Sequence, residues 1–224
     1  MKIEASFVTS AASADDLPRD GLAEVALVGR SNVGKSSLIN ALVRQRLART
    51  SAAPGKTRLA NVYRLAGSAP FYLVDLPGYG YARAGASGFD QLASAIFARK
   101  PAALLLVDVR HPGLESDRAA WEWVSAWAFD AAVVATKIDK LSRGERIRAM
   151  RQHESVFEAS VAPVSAVTGE GLDELWNLID SLVNRRNRNS SRPSRNSLRP
   201  PKPTAPFQEP PLTGPTRQLL HRKK

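Results

Sequence analysis

Apolar and polar positions divide most of the chain into strand-length and helix-length segments. Apolar runs occur at "AEVALVG", "NVYRLAG", "FYLVDL", "AALLLVDV", "AAVVATK" and "VAPVSA". Each is short enough for a buried strand and bounded by turn residues. Most are separated by segments with apolar residues at three- and four-residue spacing, such as "SSLINALVRQRL" and "ESDRAAWEWVSAWAF", which predicts helices with one buried face. Trp121, Val124 and Ala128 share that face in the second of them. Strands alternating with helices build a parallel sheet covered on both sides. One link differs: only "SAP" or so joins "NVYRLAG" to "FYLVDL", which permits a hairpin but no crossover. The pattern predicts an α/β fold with a mostly parallel six-stranded sheet and one antiparallel edge strand. Ligands of such sheets sit beyond the carboxyl ends of the parallel strands, where Asp75, Thr136 and Ser165 fall.

The pattern stops near residue 184, so a folded domain over 1–184 and a tail over 185–224 are expected. The tail holds eleven Lys or Arg against the single acid Glu209, which accounts for nearly all of the formal net charge of +11. Rich in Pro, Ser, Asn and Arg, it has too few apolar residues to offset the entropy of ordering and is expected to be disordered. Clustered Arg would bind RNA phosphates in a salt-sensitive way; a solvated extension without function is the alternative. With no cysteine in the chain, disulfides, thiolate nucleophiles and cysteine-ligated metals are excluded. Glu4 stands where a signal peptide wants positive charge, and "PAALLLVDV" is shorter than a bilayer crossing and contains Asp108. The expectation is a cytoplasmic monomer that does not enter a membrane.

"GRSNVGKSS" directly follows the first core strand and fits G-x-x-x-x-G-K-[ST]. Its residues Gly29, Arg30, Ser31, Asn32, Val33, Gly34, Lys35, Ser36 and Ser37 can wrap a phosphate chain with backbone N–H groups. Lys35 can reach the outer phosphates, and the Ser36 hydroxyl can ligate Mg²⁺. Asp75, followed by Leu76, Pro77 and Gly78, ends another strand; its carboxylate can hold Mg²⁺ through water, and Gly78 can bring an N–H to a terminal phosphate. "ATKIDK" supplies Thr136, Lys137, Ile138 and Asp139. A carboxylate at Asp139 can accept from the N1–H and amino group of guanine, a donor pair adenine lacks. In "SAVTGEG", after Val164, a backbone N–H near Ser165 and Ala166 can meet the guanine O6. "TSAAPGKTRLANVY", containing Gly55, Lys56, Thr57, Arg58 and Leu59, suits a loop that orders around the γ-phosphate, with Thr57 as second Mg²⁺ ligand. Each piece has a bland reading as an ordinary turn; their order along the chain favours a bound guanine nucleotide.

Together "FVTSA", "GRSNVGKSSLINAL", "LARTSAAPGKT", "DLPGYGYA", "LLLVDVRHPGLESD", "TKIDK" and "GEGLDELW" resemble the EngB/YihA/YsxC family of bacterial GTP-binding proteins, within the TrmE-Era-EngA-EngB-Septin-like P-loop GTPases. The resemblance covers most of residues 5–182. It implies a three-layer P-loop GTPase with a Mg²⁺-dependent GTP to GDP cycle, acting in large-subunit ribosome assembly, with ribosomal RNA as partner, and needed for normal cell division and septation. It gives Lys35, Thr57 and Gly78 to the reacting phosphate, Ser36 and Thr57 to the metal, and Asp75, Lys137, Asp139, Ser165 and Ala166 the roles above. Three departures stand out. Thr136 replaces an Asn common in guanine-binding proteins, and so lacks an amide that braces the site. Ala53 replaces a frequent Thr or Lys. The segment "RAGASGFDQLASAIFARK" is short.

Many GTPases place a Gln after the glycine of the Asp-x-x-Gly motif to orient the attacking water. Here that position is Tyr79, a phenol that keeps its proton to about pH 10, so unaided turnover is expected to be slow. A partner surface such as the assembling ribosome, or K⁺ held near Asn32, would supply what is missing; loop hydrogen bonding for Asn32 and packing for Tyr79 are the alternatives. Arg110 and His111 either brace a strand end or meet a partner, and neither His111 nor His153 has a nearby second ligand or nucleophile. A second class of function is an RNA-binding assembly factor in which nucleotide is structural. A P-loop kinase is disfavoured by "TKID" and by the lack of an arginine-rich internal lid.

Overall fold

A computed structural model of the chain describes residues 4–48, 59–79 and 87–190. The strands are β1 (Ala5–Ala11), β2 (Ala23–Gly29), β3 (Ala60–Ala66), β4 (Pro70–Asp75), β5 (Ala102–Asp108), β6 (Asp130–Thr136) and β7 (Val161–Pro163). The helices are α1 (Lys35–Val43), α2 (Ser87–Phe97), α3 (Glu115–Trp127), α4 (Arg143–Phe157) and α5 (Leu172–Ser190). All seven strands join one sheet in the order β1-β3-β4-β2-β5-β6-β7.

Every residue of β2 and of β5 is buried, as expected for central parallel strands that need apolar side chains on both faces. One face packs Ala93, Ile96 and Phe97 of α2, Val124 of α3 and Phe157 of α4 against Val28, Val74, Leu105 and Val133. The other packs Leu38 and Leu42 of α1 and Leu175, Ile179 and Leu182 of α5 against Val25, Leu73, Leu104 and Val134. The result is the expected α/β sandwich of three layers. Val124 is fully buried, and Trp121, Trp127 and Ala128 pack against the same core, so the apolar stripe of α3 is structural.

Three expectations change. The sheet has seven strands, not six, because β1 adds to the outside. Most of its residues are exposed or half-exposed, with Phe7 and Val8 in solvent, and its pairing slips between Phe7 and Thr9; such a strand carries no apolar alternation to read. The hairpin strand β3 does run antiparallel to β4, but β1 pairs with its other side, so it is not the edge. Finally, α5 continues through Ser190, past the boundary at 184 that composition suggests. Arg185 Nη2 lies 3.0 Å from Asp130 Oδ2. Arg186 donates from Nη2 to the Arg99 carbonyl at 3.1 Å and sits over the Phe129 ring. Residues 191–224 of the predicted disordered tail lie outside the described residues.

These contacts tie the C-terminal part of α5 to Asp130 at the start of β6 and to the neighbouring segments at Arg99 and Phe129. Replacing both Arg185 and Arg186 with Ala in the full-length chain is expected to lower Tm by about 2–5 °C, from roughly 1 kcal/mol of lost pairing and cation–π contact. Calorimetry showing an unchanged Tm would mean that this part of α5 only rests on the surface.

Candidate functional site

β2, β4, β5 and β6 run parallel, so Gly29, Asp75, Asp108 and Thr136 reach the same edge of the sheet. At Gly29 a Cβ would stand 2.8 Å from the Leu106 carbonyl oxygen and 2.9 Å from Val33 Cγ1, so only glycine lets the chain leave the strand here. The chain then turns through Asn32 at φ 62° and Gly34 at φ 110° into α1. Val33 N–H donates to the Arg30 carbonyl within this turn. Gly34 caps α1 without any side-chain hydrogen bond, so the N–H groups of Lys35, Ser36 and Ser37 head the helix open to an anion. Lys35 Nζ donates to the Gly29 carbonyl at 3.3 Å. Burial pulls its pKa down, while Asp75 counteracts.

Asp75 is buried at the end of β4 beside β2, and Leu76 N–H continues the pairing onto the Leu27 carbonyl. Burial pushes the Asp75 pKa up to about 6, against the pull of Lys35. Its Oδ1 has no hydrogen-bond partner among the described residues, an arrangement that suits a cation or its water better than a finished fold. Pro77 is buried and Gly78 presses on the phosphate loop: a Cβ there would be 2.7 Å from both N and Cα of Ser31. Of the remaining predicted residues in this region, Leu59 is exposed, and Gly55, Lys56, Thr57 and Arg58 lie outside the described residues.

The edge beyond β6 is built from bonds back to the phosphate loop. The buried Thr136 hydroxyl lies 2.7 Å from the Val33 carbonyl oxygen and 3.0 Å from that of Val107, donating its one hydrogen between them. The brace expected to be lost with Asn is thus present in another form. Lys137, at φ 62°, donates from Nζ to the Asn32 carbonyl at 2.6 Å and to Asp108 Oδ2 at 2.9 Å. Asp108, not among the residues predicted for the site, also accepts Nε and Nη2 of Arg110. Burial raises its pKa, but the bonds from Arg110 and Lys137 outweigh that and hold it well below the usual carboxylate range. Of the two readings for Arg110, the strand-end brace is the one seen. A polar residue closing an apolar strand, as in "LLLVDVR", was the signal available for Asp108.

Ile138 is buried, and its N–H reaches the Val164 carbonyl, which sets the Asp139 loop beside the loop after β7. Ser165, fully buried, donates its hydroxyl to Asp139 Oδ1 at 2.7 Å and accepts N–H from Val167 and Thr168. The bond from Ser165 lowers the Asp139 pKa, with a smaller contribution from Lys140. Asp139 is therefore ionised and held by Ser165, the residue before Ala166. Tyr79 is buried with its hydroxyl on Asp117 Oδ1 at 2.9 Å, so of its two readings packing is the one seen.

Two substitutions probe this arrangement. Because its folded pKa is raised, ionised Asp75 costs the ligand-free fold up to about 3 kcal/mol at neutral pH. Asp75→Asn should raise the Tm of nucleotide-free protein by about 5 °C while weakening Mg²⁺-dependent nucleotide binding; a fall in Tm would show that the charge is already compensated. Thr136→Val leaves the Val33 and Val107 carbonyls without their donor. It should cost about 1–2 kcal/mol of stability and roughly tenfold in GDP affinity, read by thermal unfolding and equilibrium titration; unchanged affinity would show that the brace does not reach the ligand.

A family model described as "50S ribosome-binding GTPase" matches residues 24–137. The chain is 45% identical over 196 residues to the probable GTP-binding protein EngB of Heliobacterium modesticaldum, covering 82% of this chain and 95% of that one. It is 42% identical over 200 residues to the corresponding protein of Pelotomaculum thermopropionicum, covering 84% and 100%. A crystal structure of a probable GTP-binding protein EngB is similar with TM-score 0.58 at 22% identity, over 73% of this chain and 100% of that one. Era in complex with MgGDPNP and a 16S ribosomal RNA segment is similar with TM-score 0.62 at 23% identity, over 80% of this chain and 59% of that one. These two structures share the fold, and the sequence relatives and the family model give the assignment: the chain belongs to the EngB family of GTP-binding proteins and is a GTPase.

Proposed function

We propose that the loop from Gly29 to Ser37, the turn from Asp75 to Gly78 and the loops at Thr136–Asp139 and Val164–Ala166 enclose GTP with Mg²⁺, and that the resulting cycle serves assembly of the large ribosomal subunit in the cytoplasm. The observation that carries this is the Asp139–Ser165 pair. An ionised carboxylate, fixed by a hydroxyl from a second loop, belongs to the same segment as Thr136 and Lys137, which bond back to the phosphate loop. Guanine presents the two donors such a carboxylate needs, and adenine does not.

In this reading Lys35 and the N–H groups heading α1 bind the β- and γ-phosphates. The Gly78 N–H meets the γ-phosphate. Ser36, with Thr57 from the segment Gly55–Leu59, ligates Mg²⁺, and Asp75 holds it through water; the orphaned Asp75 oxygen fits that task. Mg²⁺, when bound, neutralises charge on the phosphates. Because the Tyr79 hydroxyl is committed to Asp117, no side chain at that position orients water, and unaided turnover is slow. A ribosomal surface supplies the missing group, with K⁺ near the exposed Asn32 as the second source of positive charge. The description of the matching family model supports the large subunit as partner, and the role in cell division and septation is the one implied by the family resemblance. The basic residues of 191–224 would add sequence-tolerant contacts to RNA. No helix among the described residues is long and apolar enough to cross a membrane.

Competition binding should rank GTP and GDP far above ATP, with Asp139→Asn lowering GDP affinity by about a hundredfold. Single-turnover hydrolysis should be slow alone and accelerate with large ribosomal subunits. A preference for ATP, or guanine selectivity that survives Asp139→Asn, contradicts the base assignment. Turnover indifferent to ribosomal subunits and equal in K⁺ and Na⁺ favours the reading in which nucleotide serves only to shape an assembly factor.

A further inference from the structure

The turn after β4 is held to the phosphate loop by more than its backbone. Tyr79 bridges to Arg30 in parallel register, and Ser31 N–H donates to the Tyr79 carbonyl at 3.1 Å. Gly78 packs so closely on Ser31 that no side chain fits between them. Beneath this contact lies a buried polar cluster. The Tyr79 hydroxyl donates to Asp117 Oδ1 at 2.9 Å, and Arg30 Nε lies 3.3 Å from that same oxygen. Asp117 is 1% exposed and Tyr79 likewise 1%. One carboxylate oxygen, from the first turn of α3, is thus shared by the phosphate loop and by the turn that follows Asp75.

We propose that Asp117 is a positioning residue for the triphosphate: through Tyr79 and Arg30 it presets the Gly78 turn against Ser31, and selectivity for GTP over GDP depends on it. This rests on the reading of the loop as a guanine-nucleotide site. The Ser31 N–H is occupied by the Tyr79 carbonyl, so the docked turn takes no donor from the N–H groups heading α1. GDP ends one phosphate short of Gly78, whereas a γ-phosphate meets it. A turn already in place spares the triphosphate the entropy of ordering it, and the diphosphate gains nothing. The cluster is also poor as a purely stabilising device. Asp117 Oδ2 is buried with no hydrogen-bond partner among the described residues, and burial pushes the Asp117 pKa up. A well-packed apolar pair would stabilise this spot as well or better.

The test is equilibrium titration of the full-length protein with a fluorescent, non-hydrolysable GTP analogue and with fluorescent GDP. Tyr79→Phe removes one oxygen and keeps the ring in the core. It should lower triphosphate affinity about tenfold and leave GDP affinity within about twofold. Asp117→Asn, which keeps an oxygen for the Tyr79 hydroxyl, should lose less than Asp117→Leu, and Tyr79→Phe combined with Asp117→Leu should be no worse than Asp117→Leu alone. Equal losses for both nucleotides accompanied by a lower Tm would assign the cluster to stability alone and overturn the proposal, as would no loss at all. If the Asp117 variants do not fold, the Tyr79→Phe ratio decides. Wild-type protein that binds neither guanine nucleotide overturns the functional reading itself, and with it this one.

Discussion

The site depends on the parallel direction of four strands. Because β2, β4, β5 and β6 all run the same way, each brings a polar or glycine terminus to a single edge, and the loops beyond them must share a small volume. A crossover connection through a helix is what permits that direction, and the apolar residues of β2 and β5 are what keep those strands central. A break in the sheet would scatter Gly29, Asp75, Asp108 and Thr136, and no local feature of the loops could regather them.

The convergence creates an electrostatic problem with two contrasting solutions. Asp108 is buried and fully answered, by two nitrogens of Arg110 and by the Lys137 ammonium. Asp75 is also buried and, among the described residues, has Lys35 as its cationic counterweight and one oxygen unmet. A buried carboxylate of the first kind is part of the scaffold. One of the second kind raises the energy of the empty protein, and a ligand that supplies positive charge recovers that energy as affinity. The two acids therefore sort themselves into structure and site by their surroundings, although in the sequence both are an Asp at the end of an apolar strand.

That equivalence explains what was legible. The phosphate loop, the core strands and the order of the loops could be read, because glycine geometry and continuous apolar runs are local properties. Thr57 and its neighbours fall outside the described residues and remain a sequence expectation. β1 could not be read, since its support comes from pairing with β3 and its own residues are mostly exposed. The end of α5 was obscured because Arg185 and Arg186 look like tail by composition, yet Asp130, Arg99 and Phe129 hold them. Thr136 looked like a weakened brace; the hydroxyl's two carbonyl neighbours, Val33 and Val107, lie 103 and 29 residues away. Asp117 ends the string "LLLVDVRHPGLESD", but as one acid among several at the start of an amphipathic helix it gives no sign of what it holds.

The same long-range bonds join base recognition to phosphate recognition. Thr136 and Lys137 belong to the segment that carries Asp139, yet their side chains end on the carbonyls of Val33 and Asn32. The phosphate loop's backbone is therefore held from behind by the segment that would read the base, and from the other side by the Tyr79 carbonyl on Ser31. A loop clamped at adjacent residues from two directions has little freedom left to lose when a nucleotide arrives, so more of the contact energy is available as affinity. In the proposed reading, a base misfitting at Asp139 would disturb Lys137 and, through Asn32, the phosphate donors themselves. Discrimination between purines would then be expressed at the phosphate end of the proposed site as well as at the base.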